Sequence, residues 1–278
     1  MRRSILAIMT FLLGMAAAAQ NRLESLETVY KDRNVTFRKI DSHTWMGSGK
    51  VMSSETIYLI EGKKKALLID AGTDMPGLDR IVSGITRKPV TLVLTHVHPD
   101  HAGAVGCFDE VWINPADSIN IPDFMADYKG TVRYLENGQL FDLGGRVLET
   151  YFTPGHTPGS TTFLEVGTDK GYSGDAFGNG NLLVFCDFQT LIRTCRDSYS
   201  YFSSKGYTKF YCGHFSGSNF ETLDRIRLIQ TLAEEALAGK IEGEPTDGFG
   251  NINKVIVRDN FRLNYNDLML EEEKSSSR

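Results

Sequence analysis

Residues 90–101 read Val90-Thr91-Leu92-Val93-Leu94-Thr95-His96-Val97-His98-Pro99-Asp100-His101. Val90–Thr95 is nearly all apolar or β-branched, which predicts a buried strand. The strand runs directly into four candidate metal ligands within six residues. His96 and His98 are two apart, so an extended segment turns both imidazoles to the same side. Pro99 favours an extended residue before it. Asp100 and His101 are expected at the start of a short helix over Ala102–Gly106, where a carboxylate suits the helix N-terminus.

Three further elements repeat this arrangement. Thr153-Pro154-Gly155-His156-Thr157-Pro158-Gly159-Ser160 frames one histidine between two Pro-Gly turns just beyond a strand. Ser173-Gly174-Asp175 ends a short apolar stretch in a carboxylate, and Tyr211-Cys212-Gly213-His214 places a histidine two positions past a strand. Every candidate ligand thus falls at the C-terminal end of a strand or on the loop that follows. Imidazole and carboxylate donors suit zinc, iron or manganese. Seven such residues exceed the need of one tetrahedral site and fit two ions.

Around these motifs the chain alternates apolar bursts and turns. Strands are expected at Val35–Ile40, Thr56–Glu61, Ala66–Asp70, Val111–Asn114, Arg146–Phe152, Thr161–Val166, Lys209–Cys212 and Val255–Val257. Gly62-Lys63-Lys64-Lys65 reads as a hairpin. Leu78, Ile81, Val82 and Ile85 have helical spacing over Pro76–Ile85. Ser218-x-x-Glu221 has the form of a capping box opening a helix that ends at Gly239. Interleaved strands and helices place the chain in the α/β or α+β class. Trp45–Gly49 reads as a loop between two early strands, either a flap over the metals or a plain hairpin. Asn114–Gly138 has the length of a lid. The aromatics of Phe177–Lys205 suit core more than pocket wall. His43 belongs to no motif and reads as a surface residue, and Cys212 as a packed strand thiol.

The 278 residues allow one or two domains, and 41% apolar with 23% charged residues fits a globular protein. A net charge of −5 without a basic stripe excludes duplex nucleic acid as the main partner. Met1-Arg2-Arg3, the apolar run Ile5–Ala19 and the small residues Ala16–Ala19 have the form of a secretory signal peptide cleaved after Ala19. The organisation expected is a signal peptide (1–19), a lead-in (20–34), one domain (35–265) and a disordered tail (266–278). Export to the periplasm or medium follows, with a mature charge of −7 from 28 basic against 35 acidic residues. No stable membrane partner is expected. Four cysteines are too few for a disulfide scaffold. Cys186 and Cys195 are either a pair or two buried thiols.

Taken in order, H-x-H-x-D-H, T-P-G-H-T-P-G-S, S-G-D and C-G-H resemble the metallo-β-lactamase superfamily of hydrolases, over about residues 35 to 240. The resemblance implies a four-layer αββα sandwich with the metals at one edge of the two sheets. It implies that His96, His98 and His156 hold one ion, that Asp100, His101 and His214 hold a second, and that Asp175 bridges them. Two Zn2+ per chain are implied, with iron or manganese as substitutes. The implied reaction is hydrolysis of a small-molecule ester, lactone, thioester or amide by a metal-bridging hydroxide. Asp100 would orient it and pass its proton to the leaving group. The other reading of Asp100 is a pure ligand or helix cap.

The departures sort the subfamilies. True β-lactamases typically carry Cys or Ser where this chain has Asp175, so a β-lactam amidase is an alternative reading. T-P-G-H-T-P-G-S and Y-C-G-H are similar to glyoxalase II, yet only one strong helix follows His214, and export disfavours a glutathione thioester. Lactonases often have a Tyr shortly after the bridging Asp; Asp175-Ala176-Phe177-Gly178 lacks it. His98 argues against the flavodiiron branch, which has Glu there. A mononuclear iron persulfide dioxygenase is the redox alternative. The oligomeric state is left open.

Overall fold

The computed structural model describes residues 23–52 and 54–270. The segment read as a signal peptide and the tail beyond Leu270 lie outside the described residues. A first sheet has eight strands in chain order. They are β1 (Thr28–Lys31), β2 (Val35–Asp41), β3 (Thr44–Gly49), β4 (Thr56–Glu61), β5 (Ala66–Ile69), β6 (Val90–Val93), β7 (Glu110–Ile113) and β8 (Thr131–Tyr134). β1 to β5 are antiparallel, and β5 to β8 run parallel through crossovers. The second sheet contains β9 (Leu140–Asp142), β10 (Val147–Phe152), β11 (Thr161–Glu165) and β12 (Lys170–Gly174), with β14 (Lys209–Cys212) parallel to β12 at its edge. A third, small sheet joins β13 (Asn181–Leu183) to β17 (Phe261–Tyr265), then β16 (Lys254–Arg258) and β15 (Glu244–Pro245).

Alternation along β4 shows how the layers stack. Ile57 and Leu59 pack on one face with Phe37, Leu68 and Leu92, under α1 (Leu78–Ile85), which contributes Leu78, Ile81 and Val82. Tyr58 and Ile60 face the other way and meet Leu148, Phe163 and Tyr172 of the second sheet. That sheet's outer face takes Leu164 and Phe210 against two long helices. α4 (Phe188–Lys205) supplies Phe188, Leu191 and Phe202, and α5 (Leu223–Leu237) supplies Ile226, Ile229 and Leu232. The order is helix, sheet, sheet, helix: the αββα sandwich. Two shorter helical turns, α2 (Pro99–Ala102) and α3 (Ile121–Phe124), lie at the loop edge.

Several local expectations are corrected. Trp45–Gly49 is strand β3 and not a flap; its glycines reflect close packing. A Cβ on Gly49 would collide with the carboxyl of the buried Glu55, and one on Gly47 would lie 2.8 Å from Ile57 and 2.9 Å from Phe37. The loop between β3 and β4 begins later, at Lys50. The helical turn after His98 is Pro99–Ala102, with Pro99 at its first position, so Asp100 and His101 lie inside it. α5 opens at Leu223, not from a capping box at Ser218. Thr222 is its cap and accepts from the Arg225 amide at 3.3 Å. Glu221 is still extended and pairs with Phe210. Asn114–Gly138 divides into a 3-10 turn, α3 and β8. Met269 and Leu270, read as tail, pack partly against the second helical layer. All four cysteines are free thiols, and Cys195 lies nine residues along from Cys186, within α4.

Candidate metal centre

The loops after β6, β10, β12 and β14 converge at one edge of the two sheets. The first group is His96, His98 and His156, with ligand-capable atoms all within 4.8 Å of one another. His156 Nε2 lies 3.1 Å from His96 Nε2 and 3.0 Å from His98 Nδ1. The far nitrogens of two rings are committed elsewhere. His156 Nδ1 donates to the Leu183 carbonyl at 2.7 Å, and His96 Nδ1 to Thr95 Oγ1 at 3.1 Å. Their Nε2 atoms are therefore left as bare lone pairs pointing at each other. Burial, then the neighbouring imidazoles, push His96 well below the usual histidine range and His98 down to about 3. Burial lowers His156 as well, against the pull of Asp175. Three neutral imidazoles this close, with no proton to share, fit a cation between them.

The second group is Asp100, His101 and His214. His214 Nε2 lies 3.4 Å from Asp100 Oδ2, and His101 Nε2 lies 3.8 Å from it. Here burial opposes the charged imidazole, but carboxylates outweigh it. Asp70, Asp100 and Asp175 hold His101 well above its ordinary value, and Asp175 raises His214. Buried His101 Nε2 has no hydrogen-bond partner, and the donor set around it fits a cation. Asp175 stands between the groups. Its Oδ2 is 3.2 Å from His214 Nε2, 3.7 Å from His101 Nε2 and 3.9 Å from His156 Nε2. Burial would raise its carboxyl, yet His214 and His101 hold it well below the usual range. Gly213 makes this approach possible: a Cβ there would strike Asp175 and lie 2.6 Å from His101 Cε1. All seven residues singled out in the sequence are thus brought together. His43 is not; it sits across the molecule, against Glu61 at 3.1 Å.

Two buried carboxylates that sequence reasoning missed support the groups. Asp70, at φ 66°, accepts from His101 Nδ1 at 2.8 Å, the Thr95 amide at 2.7 Å and Thr95 Oγ1 at 2.8 Å. Its left-handed backbone ends β5 and swings the carboxyl under the second group. Asp117 accepts from the Val97 amide at 2.7 Å, Thr157 Oγ1 at 3.0 Å and the Gly159 amide at 2.7 Å. It ties the His96–His98 loop to the His156 loop. The sequence signal for Asp70 was a lone acid ending an apolar run; Asp117 had none beyond its Asn-Pro turn.

A cavity of about 420 Å3 opens over the two groups, walled on its apolar side by Met52, Leu183 and Phe249. Asp100, Asp175 and His214 form its polar floor. The volume is that of a small-molecule site. Among the described residues no helix is long and apolar enough to cross a membrane.

A family model described as "Metallo-beta-lactamase superfamily" matches residues 53–214. The acyl-coenzyme A thioesterase MBLAC2 of Homo sapiens is 24% identical, across 61% of this chain and 76% of its own length. A probable metallo-hydrolase, YqgX, of Bacillus subtilis is 29% identical across 45% of this chain and 67% of its own. Among solved structures, a metallo-beta-lactamase from Pontibacter korlensis superposes with a TM-score of 0.57 at 18% identity, covering 72% of this chain and 99% of that one.

Proposed function

The chain belongs to the metallo-β-lactamase superfamily, as a metal-dependent hydrolase, and on that footing we propose that it is a dinuclear zinc enzyme cutting a small ester, lactone, thioester or amide. The observation that carries this reading is Asp175 Oδ2, set 3.2 to 3.9 Å from donors of both groups. His96, His98 and His156 would hold one ion, Asp100, His101 and His214 the other, with Asp175 shared. Zinc bound there would supply Lewis acidity and activate water near neutral pH. The protein's own part is positional. Asp70 and Thr95 set the His101 and His96 rings, and the Leu183 carbonyl sets His156. Asp100 lines the cavity floor, where its carboxylate orients the attacking water and relays a proton to the leaving group. Among the candidate substrates, the thioesterase name of the human relative favours a thioester.

The proposal includes export to the periplasm or medium, carried by the basic start and the apolar run ending at Ala19. The test is metal content per chain by plasma emission spectroscopy, with turnover of ester, thioester, lactone and β-lactam substrates on the same sample. About two zinc ions per chain with ester or thioester hydrolysis is expected. One iron with oxygen uptake and no hydrolysis would overturn it.

A further inference from the structure

We propose that Phe249 is a specificity-determining residue that seats the apolar acyl portion of the substrate, an inference that rests on the hydrolase reading above. Phe249 is 55% exposed and belongs to none of the three apolar cores, so packing does not explain it. It lines the cavity together with Met52, itself 48% exposed, and Leu183. Its ring meets His98 edge-on at 5.9 Å and Phe185 at 6.2 Å. Phe124 and Phe185 meet the same His98 ring at 5.6 and 5.5 Å. An apolar collar thus surrounds the outermost histidine of the first group.

The collar is built, not incidental. Phe249 begins a 3-10 turn, Phe249–Asn251, whose Gly250 has φ 65°. A Cβ on Gly250 would lie 2.6 Å from Phe185, so only glycine lets the turn rest against that ring. The turn is closed by Gly248 donating to the Ile252 carbonyl at 3.2 Å and Thr246 to that of Asn253 at 2.9 Å. It leads into β16 and β17, and β17 pairs with β13, whose Leu183 both lines the cavity and orients His156. This turn lies outside residues 53–214, the part matched by the family model. The described residues lining the cavity include no lysine or arginine, while Asp100 and Asp175 face into it. A neutral apolar chain suits the wall formed by Met52, Leu183 and Phe249.

The test is a p-nitrophenyl ester series from acetyl to octanoyl, with the metal-loaded full-length protein. Wild type should gain up to about fourfold in kcat/KM per added methylene, by the burial of each CH2. Phe249→Ala should flatten that series through KM, by about tenfold at octanoyl relative to acetyl, with metal content unchanged. Phe249→Leu should restore part of the slope. An unchanged slope in Phe249→Ala, or equal losses for acetyl and octanoyl, would overturn the proposal. Calorimetric binding of 1-hexanol against ethanol reads the subsite without turnover. Tighter hexanol binding that depends on Phe249, in a metal-loaded protein cleaving no ester, thioester, lactone or amide, would sink the proposed substrate reading and leave the subsite standing. Equal binding of both alcohols would sink the subsite.

Discussion

The two donor groups sit side by side on the same sheet edge, yet they are electrostatic opposites. His96, His98 and His156 are three imidazoles stripped of water, and their surroundings expel protons. His101 and His214 share their group with Asp100 and lean on Asp70 and Asp175, and their surroundings attract protons. A cation entering the first group meets donors already neutral. A cation entering the second must displace protons that the neighbouring carboxylates hold on the His101 and His214 imidazoles. Adjacent sites in one fold can therefore differ in how tightly, and over what pH range, they hold the same ion.

Removing one ligand from each group should break this comparison most severely. His98→Ala should empty the first group and lower turnover by more than about 100-fold, since even partners one step from a metal are worth ~10–100-fold. His214→Ala should keep close to one ion per chain. Metal analysis of both variants checks this, and loss of both ions from each would erase the distinction. The supporting carboxylates should separate next. Asp70→Asn should weaken metal affinity by ~10–100-fold with the fold intact. Asp117→Asn should lower the stability of the metal-free fold by about 1–3 kcal/mol, because it leaves buried amides poorly paired. Chelator competition and chemical denaturation measure the two effects.

The smallest expected effect is one of sign. In the metal-free protein, burial and neighbouring imidazoles hold His98 at about 3, against 6.5 for an unperturbed histidine. The unfolded chain takes up that proton first, so this contribution to stability is lost as pH falls from about 6.5 toward 3. For His214, burial is outweighed by Asp175 and the value is raised. Its contribution is full below 6.5 and is lost as pH rises through the raised value. Denaturation at pH 7 and pH 5 should show the penalty of His98→Ala shrinking in acid by about 1–2 kcal/mol. The penalty of His214→Ala should grow in acid.

The convergence of the seven candidate ligands was legible because each lies in a short contiguous motif behind a strand, where spacing alone implies a shared side. The αββα layering was legible through the same motifs. What supports the ligands was not. Asp117 acquires its role from amides 20 to 42 residues away, and no local pattern announces that. Strand β3 was obscured by Gly47 and Gly49, which punctuate sequence but here admit Phe37, Ile57 and Glu55. Ser218 carried a plausible cap signal, but the extended pairing of Glu221 with Phe210 delays the helix to Thr222. Phe249 was invisible because an exposed aromatic acquires meaning only from the rings it is folded against.

The pairing of β13 with β17 joins Asn181 to Arg262 and so sets an order of assembly. Every candidate ligand, up to His214, precedes β16 and β17, which span residues 254–265. Until those strands arrive, β13 lacks its neighbour, and the wall that carries Leu183 and orients His156 is unsupported. The cavity edge is thus completed by the later portion of the chain, so that displacing β17 should disturb the wall at Leu183 and the orientation of His156.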